Sequence, residues 1–186
     1  MDSTRRRIIL VVAAIAMLGP GASAARAASA SKISTASRAA LNKLYASNPS
    51  AKILRDNAKA VLVFPSILKA GFIFGAQGSD GAMIKAGKVG GYYRTLAASY
   101  GFQAGIQSFG YALFFITDSS LDYLAKSGGW EIGSGPSLVV VDEGFAKSLT
   151  STTLTQDVYA CVFDQKGLMA GIGIQGSKIT RIHPGK

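Results

Sequence analysis

Residues 58–75, AKAVLVFPSILKAGFIFG, constrain the fold of this chain more than any other stretch. Lys59 leads into Val61-Leu62-Val63-Phe64, an apolar run rich in β-branched residues that reads as a buried strand. Pro65 cannot donate to a sheet ladder and is expected to end that run. Lys69 then precedes a segment in which glycines and aromatics alternate. Strand, corner, second strand and a cationic edge are thus expected within eighteen residues. The 22 glycines of the chain show no triplet period, which favours turns and closely packed strands over collagen.

With 186 residues the chain suits one domain with a proper core. A hydrophobic fraction of 48% and a mean hydropathy of +0.27 argue against disorder. The N-terminus reads as an export signal over residues 1–27. Arg5-Arg6-Arg7 forms its basic start, residues 8–18 its apolar stretch, and Ala24 or Ala27 its cleavage position. The apolar stretch is too short for a comfortable membrane span. The expected product, residues 28–186, is exported to the periplasm or secreted, and peripheral to the membrane. Cys161 is the only cysteine, so no intramolecular disulfide can form, and its apolar surroundings predict a buried, inert thiol.

Residues 28–34 are expected as a flexible arm. Residues 35–46 follow as an amphipathic helix with Ala36, Ser37, Ala40, Leu41 and Leu44 on one side, joined by Ile33 if the helix starts earlier. Asn48-Pro49 reads as a cap followed by proline in the first turn of a second helix. There Lys52, Arg55 and Lys59 form one cationic stripe if that helix extends to Lys59. Strands are expected at 61–64, 72–76, 83–86, 92–99, 102–116, 130–132, 137–141, 159–163, 168–174 and 178–182. Turns are placed at 77–81, Gly90-Gly91 and 164–167. Asp118 or Ser119 should cap a short helix, and residues 143–149 should form another.

Removal of Arg5, Arg6, Arg7, Arg26 and Asp2 with the leader leaves sixteen basic and nine acidic residues. Ten of the basic residues and only two of the acidic ones precede Thr95, while the remainder of the chain is almost neutral. Such asymmetry fits an anionic partner on one side of the molecule, or a solvated basic surface that keeps the protein soluble. A basic stripe beside an apolar one suits an anionic membrane, and equally a helix packed on a sheet with its charges in water.

Catalytic chemistry is thinly supplied. The only histidine, His183, lies in the last residues, a poor scaffold for a triad. Asp142-Glu143 is the only adjacent acidic pair, and no phosphate-binding Gly-x4-Gly-Lys-Ser/Thr stretch occurs. Neither an enzyme nor a cofactor or metal is expected. Nucleic acid is also not expected, because the aromatics fall in apolar strands instead of alternating with the cations.

Residues 58–75 are joined by three further segments: Gly101-Phe102-Gln103-Ala104-Gly105-Ile106-Gln107 with the apolar run after it, Trp130-Glu131-Ile132-Gly133, and Val158-Tyr159 through Lys166-Gly167-Leu168-Met169-Ala170-Gly171 to Gln175-Gly176. In this order, spanning roughly residues 35–182, they resemble the SYLF domain family. The resemblance implies a glycine-rich β domain that binds phosphoinositides or other anionic lipids; some eukaryotic members also bind actin filaments. Some bacterial members look like lipoproteins, but no cysteine lies near the cleavage region here.

The expected fold is α+β, with N-terminal helices packed on a curved, barrel-like antiparallel sheet and short connecting helices. The expected function is non-catalytic binding of anionic phospholipid at a membrane surface through Arg38, Lys43, Lys52, Arg55, Lys59 and Lys69. The alternatives are a protein-interaction module, with actin or an envelope partner, and a structural envelope protein without ligand.

Overall fold

The computed structural model describes residues 28–71, 74–100, 105–126, 128–141, 149–150, 152–167, 174 and 176–185. The expected leader lies outside these residues, as do nearly all of the expected helix at 143–149 and most of the expected strand at 168–174.

The elements follow the order α1 (Ala30–Ser47), α2 (Pro49–Asn57), β1 (Ala60–Gly71), β2 (Phe74–Lys85), β3 (Lys88–Tyr100), β4 (Gly105–Phe115), α3 (Asp118–Lys126), β5 (Trp130–Glu131), β6 (Leu138–Val140), β7 (Val158–Gly167) and β8 (Lys178–Ile182). The strands form one sheet in the order β5-β8-β3-β2-β1-β4-β7-β6, curled into a half-barrel. The fold is α+β as expected. The sheet is mixed, because β6 pairs parallel to β7 while the other pairs are antiparallel.

Both faces of β1 are covered over its first half, which is why its sequence there is continuously apolar. Val61 and Val63 point to the face on which the N-terminal helices lie, joining Ala112, Phe114, Tyr159 and Cys161 beneath Leu41, Leu44 and Leu54. Leu62 and Phe64 point the other way, into a core with Phe109, Tyr111, Leu113, Trp130 and Ile179, closed by Leu124 of α3.

Pro65 does not end the strand. The β1 ladder shifts register between Val63 and Leu68 against β2, and between Phe64 and Ile67 against β4. The proline occupies this bulge, where a ladder donor is not required, and β1 resumes beyond it. The turn expected at 77–81 is likewise strand interior. Gly81 serves close approach there, since a Cβ would stand 2.2 Å from the Val63 carbonyl oxygen. The hairpin is made instead by Ala86 and Gly87, with φ of 48° and 73°, between Lys85 and Lys88. Both positive angles fit a two-residue turn of the kind that matches strand twist. Gly90-Gly91 lies inside β3, and the turn expected at 164–167 is a bulged part of β7, with Asp164 at φ 52°.

The arm expected at 28–34 is helical from Ala30. The Ser29 side chain accepts from the Lys32 N–H, and the Ala30 N–H donates to the Gly185 carbonyl at 3.0 Å. Asn48 joins the two helices alone. Its N–H closes α1 on the Leu44 carbonyl at 2.9 Å, and its Oδ1 accepts from the Ala51 N–H at 3.1 Å to open α2.

Candidate anion-binding groove

Along one flank of its buried stripe, α1 faces α2 and the β2–β3 hairpin across an open groove. Arg38, Leu41, Asn42 and Tyr45 of α1 meet Arg55 of α2, Ala58 and Lys59 of the connection, and Ala60, Val61, Ile84, Ala86 and Gly87 of the sheet around a groove of about 370 Å³. Among the described residues three cations line it, and no acidic side chain does.

Each cation is held at one side and open at the other. Arg38 Nη2 donates to the Gly87 carbonyl at 2.9 Å, which ties α1 to the hairpin turn. Arg55 Nε donates to Asp56 Oδ1 at 2.8 Å, and its guanidinium carbon lies 5.3 Å from the Tyr45 ring centre. That hydrogen bond raises the Arg55 pKa and lowers that of Asp56. Lys59 Nζ pairs with Asp118 Oδ2 at 2.9 Å. These ion pairs are exposed, contribute little to stability, and are therefore exchangeable for an external anion. Burial pushes the Tyr45 phenol up to about 12, with the Arg55 guanidinium opposing, so its hydroxyl keeps its proton at neutral pH.

Of the six residues singled out in the sequence, Arg38, Arg55 and Lys59 share this groove. The stripe expected for Lys52, Arg55 and Lys59 is not a helical one, because α2 ends at Asn57 with Ala58 as its cap; Lys59 reaches the groove from the connection. Lys52 is exposed on α2 away from the lining. Lys43 pairs with Asp164 of β7 at 2.5 Å. Lys69 is buried on the opposite face of the sheet and belongs to a different environment. The sequence reading did not include Lys85 and Lys88, which flank the groove-lining turn and are exposed. Their spacing around Ala86-Gly87 was the available signal, obscured by placing the turn at Gly90-Gly91.

The helix face of the sheet carries a second feature beyond α1. Leu68, Leu96 and Ile106 are 57%, 55% and 67% exposed. Leu68 and Leu96 flank Gly78 in register, and the row continues to Lys178 on β8 and through Ser108 to Lys166 on β7. Among the described residues no three His, Cys, Asp or Glu side chains converge as a metal site would require. Among them, too, no helix is long and apolar enough to cross a membrane.

A family model described as "Ysc84: Las17-binding protein actin regulator" matches residues 96–183. No curated protein matches the chain. The matched residues run from the end of β3 through β8 and include α3; the groove's cations precede them. Residues 96–183 of this chain are thus similar to the SYLF, or Ysc84, family that the sequence motifs resemble.

Proposed function

We propose that the protein is a non-catalytic binding module that docks on anionic lipid headgroups through the groove of Arg38, Arg55 and Lys59. The observation that carries this reading is the convergence of three cations and a protonated tyrosine on one groove without an acid in its lining. Guanidinium groups present planar pairs of donors to phosphate, and an ammonium adds a point charge. Lys85 and Lys88 extend the same charge along the hairpin. A basic residue close to an anionic membrane contributes about 1 kcal/mol, so several acting together hold a protein at the surface. With the leader expected at the N-terminus, the membrane in question is one met after export, and the headgroup is a phospholipid phosphate or a phosphoinositide.

Co-sedimentation with vesicles tests this. Binding to anionic vesicles is expected, with little to neutral ones, and weakening as salt shortens the Debye length. The triple substitution R38E/R55E/K59E should lower binding on the order of a hundredfold, while Lys52→Glu should change it little. Equal loss in both would refute the groove assignment.

A second reading rests on the exposed Leu68, Leu96 and Ile106 row. Apolar surface of this kind marks protein contacts, and the family description names an actin regulator. Co-sedimentation with actin filaments, lost in Leu96→Glu and kept in the groove triple variant, would favour a protein partner.

A further inference from the structure

We propose that the sheet face opposite the N-terminal helices holds a binding site for a single oxyanion, a carboxylate or a phosphate, built on Lys69 and Gln107. It is independent of the groove.

Lys69 lies on β1 with Gln77 of β2 and Gln107 of β4 as its register partners, so the three side chains form a row on one face of the sheet. It is the face that carries Ile67 and Phe109 two residues away, and both belong to the core. Lys69 is 8% exposed, the only charged side chain that is buried among the described residues. The ion pairs among the described residues engage other cations: Lys43, Arg55, Lys59, Arg94 and Lys126. Gln107 is 0% exposed, and both its Nε2 and Oε1 lack a hydrogen-bond partner among the described residues. Gln77 Nε2 donates to Ser177 Oγ at 3.4 Å, and Ser177 is itself 1% exposed.

A lysine that is 8% exposed and has no acidic partner among the described residues, beside a buried amide that satisfies neither of its polar atoms, is unfavourable without a further group. One oxyanion resolves both. It neutralises the Lys69 ammonium and accepts from the Gln107 Nε2–H, while Gln107 Oε1 remains free to accept from the ammonium. The ligand's charge is then matched one for one.

The test uses the full chain in buffer free of small oxyanions, with sodium phosphate, sodium acetate and monomeric oleate titrated in separate arms. Calorimetric titration and thermal denaturation are read together. Saturable one-site binding in at least one arm is expected. An effect of phosphate alone identifies a phosphate ligand, and one of oleate or acetate a carboxylate. Lys69→Met should weaken that binding by about tenfold or more, and should raise the Tm of the anion-free protein by removing an unneutralised charge. Gln107→Glu supplies an internal carboxylate beside Lys69. It should raise the anion-free Tm and abolish the response to added anion, and it decides the matter alone if Lys69→Met does not fold. Vesicle binding should be unchanged in both variants, and R38E/R55E/K59E should retain the oxyanion site, so failure of one site is distinct from failure of the other. No saturable binding in any arm, or a fall in anion-free Tm with Gln107→Glu, overturns the proposal.

Discussion

At the scale of single residues, polar side chains inside apolar surroundings show how the helices are anchored. Ser37 is the one polar member of the buried stripe of α1, and it is fully buried. Its Oγ accepts from the Ala82 N–H at 3.2 Å and donates to the Val63 carbonyl at 3.4 Å. It therefore joins helix to sheet where the β1 bulge begins. Ser37→Ala should destabilise the protein by about 1–3 kcal/mol by leaving a buried backbone group without its partner. Urea denaturation measures this, and a change under 0.5 kcal/mol, roughly that of a neutral surface site, would contradict it. The sequence identified Ser37 as an exception to its stripe, but its partners lie 26 and 45 residues away and could not be read locally. Gly81 is a similar case: its glycine was legible as a backbone special, but close approach to Val63, not a turn, is what demands it.

At the scale of elements, local signals succeeded where the partner was a neighbour in sequence. Asn48-Pro49 was legible as a helix start because the cap bond spans three residues. Asn48→Ala should cost about 1 kcal/mol, and should weaken vesicle binding because α2 carries Arg55 into the groove. Retained vesicle affinity with the full stability loss would separate the groove from the helix junction. The Thr117, Ser137 and Asp157 cluster joins the approaches to α3, β6 and β7. Asp157 Oδ2 accepts from the Ser137 N–H at 3.0 Å and its Oγ at 2.8 Å, and Oδ1 accepts from Thr117 Oγ1 at 2.9 Å. These bonds, the Ser137 N–H first, lower the Asp157 pKa. A carboxyl depressed in the folded state contributes stability above its unfolded value near 4, and that contribution is lost as pH falls through the folded value. Asp157→Asn should therefore flatten part of the loss of stability below about pH 4. Denaturation curves across the acid range check this, and an unchanged slope would show that Asp157 does not carry the effect.

At the scale of the whole molecule, Cys161 reports on the integrity of the helix–sheet layer. It is 1% exposed, and burial pushes its thiol up to about 12. It lies under α1 and α2 with Tyr159 and Phe114. Alkylation of native protein near pH 8 should proceed only at the rate of global unfolding followed by Trp130 fluorescence. Faster alkylation would show the helices lifting from the sheet on their own. The sequence by itself determined the α+β class, the helical pair and its Asn48-Pro49 junction, the burial of Val61–Phe64 and the excess of cations before Thr95, because each depends on periodicity or composition within a short window. Tertiary structure alone decided that Pro65 sits in a bulge, that the hairpin turns at Ala86-Gly87, and that Arg38, Arg55 and Lys59 meet while Lys69 turns to the other face. Those outcomes follow from register between strands distant in sequence. A shift of one residue in register exchanges the two faces of a sheet, and no local pattern encodes it.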